Sequence, residues 1–533
     1  MRKVIWLICA LIAGTGLAAL AVPSGVRLAF GAGANPVVTL KSGSLQGDKL
    51  GPSGAVFKGI PFAAPPVGPL RWREPMPVAS WKGSRAARQY GSACAQPNMG
   101  WNASLVPTAS EDCLYLNVWS PRLDSAAHLP VMVWIHGGAF TGGSGTDPMF
   151  DGERLSARGV VLVTFNYRLG VLGFFSHPQL GTEVGGVTGN FGLLDQIAAL
   201  RWVHENIERF GGDPSAVTIF GQSAGGGSVV ALLTSPVAKG RFRNAIVESG
   251  AMLSPQSATT LSAAQATGER FADKATLDQL RALSTKDLLE RWGAFVAGVP
   301  QGGPQARAVQ AGPIVDGHAL TEDPAAVFAT GREQRVPLII GNNAREGFGR
   351  TSDAELPQII QGFFGPDAAA VLPDYTASAG TQNFTLGTPA NQWLTDTTFR
   401  CGAVITAARH SATGASVYSY QFEQSLPGHP GEGAQHSFEL PYVFGNLLAE
   451  GVLGGPFASS DRDLADVMGG FWTNFAKTGN PNGAGLPLWP AFDPASRAYM
   501  RFATAYAGDA SVDHGLRQHA CRAYERKVMA SWR

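Results

Sequence analysis

The sequence predicts an α/β protein built on one central, mostly parallel sheet flanked by helices. Three observations predict it. Short, uninterrupted apolar runs recur along the chain, among them "PVMVWIH" (130–136), "VVLVTF" (160–165), "AVTIF" (216–220), "NAIVES" (244–249), "VPLII" (336–340) and "SVYSYQF" (416–422). A strand that is apolar on both faces is buried on both, which is the pattern of a parallel sheet packed between helices. Helical patterns lie between the runs. Finally, glycine-rich or polar segments follow the runs directly, and open parallel sheets gather their ligands and reactive groups at the carboxyl ends of their strands.

The first 34 residues stand apart. Arg2 and Lys3 precede a 19-residue apolar stretch, "VIWLICALIAGTGLAALAV", and Ala-x-Ala sites follow at Ala19–Ala21 and Ala32–Ala34. This is the composition of a secretory signal peptide (1–34). An uncleaved anchor is the rival, because 19 apolar residues can span a bilayer. Interior glycines and the small-residue sites favour cleavage, and Cys9 lies too early for a lipid attachment site. The expected product is secreted, extracellular or periplasmic, with no stable membrane anchor.

Removing Arg2, Lys3 and Arg27 takes the basic residues from 41 to 38 against 40 acids, a net charge of about −2. No Lys/Arg cluster stands out, so nucleic acid is not an expected partner. Four cysteines follow Cys9: Cys94, Cys113, Cys401 and Cys521. An even number in an exported chain predicts two disulfides, with three pairings possible. No CxxC and no Cys/His cluster has zinc spacing, so no metal is expected.

The glycine loop "HGGAFTGG" (136–143) follows an apolar run. It is not a phosphate loop, since the chain contains no Gly-Lys dipeptide, and no GxGxxG follows a first strand, so no dinucleotide cofactor is expected. Backbone N–H groups in such a turn can converge on one point and stabilise an oxyanion. The candidate donors are the N–H groups of Gly138, Ala139 and Ala224. Further on, "NFGLLDQIAALRWVHENIERF" (190–210) sets Leu193, Leu194, Ile197, Leu200, Val203 and Ile207 along one helical stripe, ended by Gly211.

Ser223 sits in "VTIFGQSAGGG" (217–227), with Gly221 and Gly225 at −2 and +2. A serine so placed after a strand is a nucleophile elbow: the turn is too tight for side chains at the flanking positions. A serine hydroxyl needs an adjacent base, for which imidazole is suited, and a carboxylate must orient that imidazole. Glu346 follows "VPLIIGNNAR" and His436 lies in the loop after "SVYSYQF". The order Ser, acid, His places Glu346 as orienting acid and His436 as base. On order and strand-end position alone, Asp316 and Asp396 compete with Glu346, and His410 and His429 with His436. Regions 255–330 and 351–400 look helical and loop-rich and read as insertions that cap the sheet, so 35–533 reads as a single domain.

Several long stretches resemble one family: "FKGIPFAAPPVGPLRW" (57–72), "SEDCLYLNVWSP" (110–121), "NYRLGVLGFF" (166–175), the segment 189–229, "HSFELPYVFG" (436–445) and "FWTNFAKTGNPN" (471–482). They are similar to type-B carboxylesterases, cholinesterase-like α/β-hydrolases in the style of bacterial para-nitrobenzyl esterases. The likeness covers nearly everything after residue 36. It implies an α/β-hydrolase fold whose insertions form a gorge over the active site. It also implies serine hydrolysis of small-molecule carboxylic esters through an acyl-enzyme, with no cofactor. Ser223, Glu346 and His436 take the triad positions, the "AREGF" context favouring Glu346. The oxyanion donors fall on Gly138, Ala139 and Ala224, and the disulfides on Cys94–Cys113 and Cys401–Cys521.

This chain departs from the family at three places. Ala139 stands where many relatives have a third glycine, so a methyl group crowds bulky alcohols. Gln222 stands where many carry Glu, which weakens any case for a cationic substrate. Trp101, in the Cys94–Cys113 loop, reads as a hydrophobic plug rather than a ligand contact. Two alternatives are kept. One is a hydrolase preferring an amide, carbamate, thioester or lactone. The other is a non-catalytic binding or adhesion member, disfavoured because such members typically lack a triad residue.

Overall fold

Alternate residues of each central strand go to opposite faces of one sheet, and both faces are covered. The computed structural model describes residues 35–183, 186, 189–250, 258–300, 309–347, 352–376, 385–429, 431–447 and 456–530. The segment 1–34, read above as a signal peptide, lies outside the described residues, as do parts of the two expected insertions (255–257, 301–308, 351 and 377–384).

Among the described residues the main sheet has eleven strands. In chain order they are β1 (Asp48–Leu50), β2 (Gly54–Pro61), β3 (Tyr115–Ser120), β4 (Leu129–Ile135), β5 (Val161–Phe165), β6 (Gly212–Gln222), β7 (Asn244–Glu248), β8 (Leu338–Asn343), β9 (Val417–Phe422), β10 (Ala498–Phe502) and β11 (Ala510–His514). Across the sheet the order is β11-β10-β9-β8-β7-β6-β4-β5-β3-β2-β1. Every pairing from β5 through β4, β6, β7, β8 and β9 to β10 is parallel. The pairings at both edges are antiparallel. The runs read from the sequence as doubly buried strands are the parallel centre of this sheet.

Helix α1 (Phe191–Asn206) follows β5, and α2 (Ala224–Thr234) follows β6. The segment between β7 and β8 holds α3 (Leu261–Ala272), α4 (Leu277–Ala282) and α5 (Thr285–Ala297). That between β8 and β9 holds α6 (Leu356–Phe364), α7 (Pro389–Thr395) and α8 (Cys401–Ala412). After β9 come α9 (Leu440–Phe444), α10 (Ser459–Thr478) and, at the end, α11 (Gln518–Ala530). On β4, Val131, Val133 and Ile135 join one core with α1, α2 and α8, whereas Met132 and Trp134 join a second with α9 and α10.

Helix α1 differs from its expected single stripe. Asp195 and Gln196 are as buried as its leucines. Arg168 is the reason: its guanidinium meets Asp195 at 2.8 and 2.7 Å inside the protein, so a charge can sit on a face that would otherwise need solvent. Both disulfides are present, Cys94–Cys113 and Cys401–Cys521.

Candidate active site

Strand β6 ends at Gln222, and the chain turns at once into α2. Ser223 occupies the turn with φ 57° and ψ −125°, a region that side-chain-bearing residues rarely adopt. Its N–H donates to the Glu248 carbonyl (2.9 Å) and its carbonyl accepts from Gly227 N–H (2.8 Å), which locks the turn to β7 and to α2. A Cβ at Gly225 would lie 1.9 Å from the Ile135 carbonyl oxygen, so this position tolerates only glycine. The Ser223 side chain is partly exposed at the tip, beside the positive end of an eleven-residue helix.

The glycine loop leaves the carboxyl end of β4 and passes beside the serine. A Cβ on Gly137 would lie 3.1 Å from that of Ser223. Gly138 (φ 110°), Ala139 (φ 53°) and Phe140 (φ 56°) all have positive φ, and the Gly138 carbonyl accepts from the N–H groups of Thr141 and Gly142, both at 3.0 Å. Its neighbours hold this strained run in place. Gln96 donates to the Gly143 carbonyl (2.9 Å) and accepts from its N–H (2.8 Å), and Asn102 donates to Gln96 (2.8 Å). His136 stacks on Tyr167 with ring centres 4.4 Å apart, and the Tyr167 hydroxyl donates to the His136 carbonyl (2.9 Å). Burial pushes the His136 imidazole down to about 4, so it is a neutral strut rather than a base.

Glu346 lies just beyond β8 and His436 in the long connection after β9. Glu346 Oε2 is 2.6 Å from His436 Nδ1. The other oxygen, Oε1, accepts from Ser249 Oγ and from the Asn343 N–H, each at 2.6 Å. The Glu346 N–H in turn donates to Thr395 Oγ1 (3.1 Å). With Nδ1 protonated toward the carboxylate, Nε2 is left as the basic nitrogen, and the Gln222 side-chain nitrogen lies 3.3 Å from it. The Phe399 ring packs 4.9 Å from the imidazole. Burial disfavours the imidazolium, but the charge and hydrogen bond of Glu346, with the charge of Glu439 behind, outweigh it and raise the His436 pKa above the ordinary 6.5.

The rivals are engaged elsewhere. Asp316 accepts from the N–H groups of His318 and Leu320 in its own turn. Asp396 pairs with Arg400 and Arg517 and accepts from Tyr375. His410 is buried between Glu333 and the Val336 carbonyl, and His429 pairs with Glu432 at the surface. Trp101 corrects its expectation: it is 61% exposed, not a plug. Its ring tip comes within 3.0 Å of where a Gly138 Cβ would be, beside the glycine loop. Ser249, Asn343 and Thr395 escaped the sequence reading. Ser249 ended a quoted strand, "NAIVES", but nothing local tied it to Glu346.

Residues 34–359 and 368–524 match the carboxylesterase family. Fumonisin B1 esterase of Sphingopyxis macrogoltabida is 38% identical over 450 residues, 82% of this chain and 81% of that protein. Para-nitrobenzyl esterase of Bacillus subtilis (strain 168) is 39% identical over 460 residues, 83% and 89% of the two chains. A solved PNB esterase superposes with a TM-score of 0.79 at 33% identity, covering 93% of this chain and 99% of its own. A carboxylesterase of Geobacillus stearothermophilus gives 0.76 at 34% identity, covering 93% and 100%. Likeness at this level over this much of both chains extends to fold and reaction class: the chain is an α/β-hydrolase that cleaves carboxylic esters, and it belongs to the carboxylesterase family.

Proposed function

We propose that Ser223 is the nucleophile of this esterase, His436 its base and Glu346 the carboxylate that orients His436. Ser223 Oγ attacks the ester carbonyl as His436 Nε2 takes its proton. The tetrahedral oxyanion rests on the N–H groups of Gly138, Ala139 and Ala224, each donor worth roughly 3 kcal/mol of barrier. His436 then protonates the leaving alcohol, the acyl-enzyme forms, and a water activated by the same imidazole releases the acid. Glu346 keeps Nδ1 protonated and stabilises the transient imidazolium. The observation that carries this reading is the 2.6 Å contact between Glu346 and His436, with a strained serine at the end of β6, two strands along from β8.

Residues 1–34 serve as an export signal, and 35–533 act as one catalytic domain outside the cytoplasm. Two disulfides support export, and among the described residues no helix is long and apolar enough to cross a membrane. Substrates are small-molecule esters. Two relatives named for different esters share almost the same identity with this chain, 38% and 39%, so overall likeness does not choose the ester. A fluorophosphonate probe tests the nucleophile. It should label the active protein once, on the peptide carrying Ser223, and label on any other residue would refute the assignment.

A further inference from the structure

Behind the triad, on the sheet face covered by α10, lies a cluster of buried polar side chains that the reaction above leaves unused. In-register residues of a parallel sheet share a face, and here Gln222, Glu248, Gly341 and Tyr420 form one row across β6, β7, β8 and β9. Gly341 contributes no side chain. A Cβ there would lie 2.3 Å from Tyr420 Cδ1, so the tyrosine ring lies across the gap between itself and Glu248. From α10, Trp472 packs edge-on against Tyr420 (5.4 Å) and donates its indole N–H to Glu248 Oε1 (2.7 Å). Glu439, just before α9, accepts from the Asn343 amide with its Oε2.

Beside Asn343 Oδ1, three polar atoms of the glutamates and the tyrosine are left over. Glu248 Oε2, Glu439 Oε1 and Tyr420 Oη are buried and without a hydrogen-bond partner among the described residues. No hydrogen bond joins Tyr420 to either carboxylate among the described residues, yet charge couples the set: Glu439 acts on Glu248, and both act on Tyr420. Buried water, where present, makes two to four bonds to otherwise unsatisfied groups such as these.

We propose that Glu248 is a neutral carboxylic acid whose proton bonds to a buried water shared with Tyr420 Oη and Glu439 Oε1. Glu248 is thereby a positioning residue that fixes Glu439 behind His436. The water accepts from the Glu248 acid and the Tyr420 hydroxyl and donates to Glu439, so all three leftover atoms are satisfied. An ionised Glu248 would instead hold a full charge on one indole donor. The titratable group that acts on it is Glu439, just before α9, and Glu439 and Glu346, from beyond β8, act with it on Tyr420 of β9. Burial first, then Glu439, pushes the Glu248 carboxyl well above the usual carboxylate range, while the Trp472 hydrogen bond opposes. Burial and then Glu346 raise Glu439 to about 7, so it is the group that gains charge as pH rises toward neutrality.

The inference rests on His436 being the base, but its main readout does not. Infrared difference spectra of the full protein at pH 8 should show the carbonyl stretch of a protonated carboxyl that disappears in Glu248→Gln. Trp472→Phe removes the donor to Glu248 Oε1 and should shift that band to higher frequency. Absence of a band lost in Glu248→Gln, or a band indifferent to Trp472→Phe, would overturn the proposal. Kinetics supply the functional arm. The acid limb of kcat/KM should move to lower pH in Glu439→Gln, which removes a negative charge facing His436, and keep its midpoint in Glu248→Gln. A matching shift in Glu248→Gln would mean that Glu248 is charged and would overturn the proposal. Turnover surviving in Ser223→Ala would refute the triad instead, leaving the infrared result to stand by itself.

Discussion

Glu346 is fixed before it meets His436. Two donors hold Oε1 and a threonine holds its backbone, so Oε2 is presented to Nδ1 in one orientation. Removing one donor to a buried carboxylate costs about 1.5–3 kcal/mol. Ser249→Ala is therefore expected to lower kcat roughly 10- to 100-fold with little change in KM, which steady-state kinetics would read. The pH dependence follows from the raised pKa of His436. The base works only as neutral imidazole, so kcat/KM should fall as pH drops, with a midpoint above 6.5. A flat kcat/KM from pH 8 to pH 5 would refute that role. The placement of Ser223, Glu346 and His436 beyond strand ends was legible because each follows a recognisable apolar run. Ser249 and Thr395 were not, because they reach Glu346 from 97 and 49 residues away. Trp101 was misread because loop tryptophans usually seek cover, and this one lies open beside the glycine loop.

Elements carry the site as units. The Cys94–Cys113 loop delivers Gln96 and Asn102 to the glycine loop, so that disulfide serves the candidate oxyanion site as well as the fold. Gln96→Ala frees both backbone groups of Gly143 and should lower kcat about tenfold or more without unfolding the protein. Activity beside a thermal melt would check this, and an unchanged kcat would show that the loop holds itself. Between α7 and α8, Asp396–Arg400 forms one π-helical turn. This widened turn directly follows Thr395, which braces Glu346, and itself carries Phe399, which packs on His436. The sequence marked 351–400 only as helical and loop-rich, since a π turn has no local signature. The α1 stripe was legible, whereas its buried Asp195 depended on Arg168, 27 residues away.

At the scale of the molecule, the sheet separates two cores and presents Ser223, Glu346, His436 and the glycine loop beyond the carboxyl ends of four of five consecutive strands. That much was legible from doubly apolar runs. Strand order and the shared water site were not, because both depend on register across the sheet. The Cys401–Cys521 disulfide ties α8 to the C-terminal helix across 120 residues. Replacing both cysteines by serine should lower unfolding stability by up to about 5 kcal/mol in the chain-entropy model. Denaturant unfolding would read that loss, and kcat of the folded fraction should stay near wild type, since neither cysteine touches the triad. The most direct measurement is hydrolysis of p-nitrophenyl acetate, butyrate and octanoate by the chain from residue 35 onward, beside Ser223→Ala. Turnover by the wild type that falls to background in the variant is the predicted result, and a Ser223→Ala protein that still turns over at the wild-type rate would contradict it.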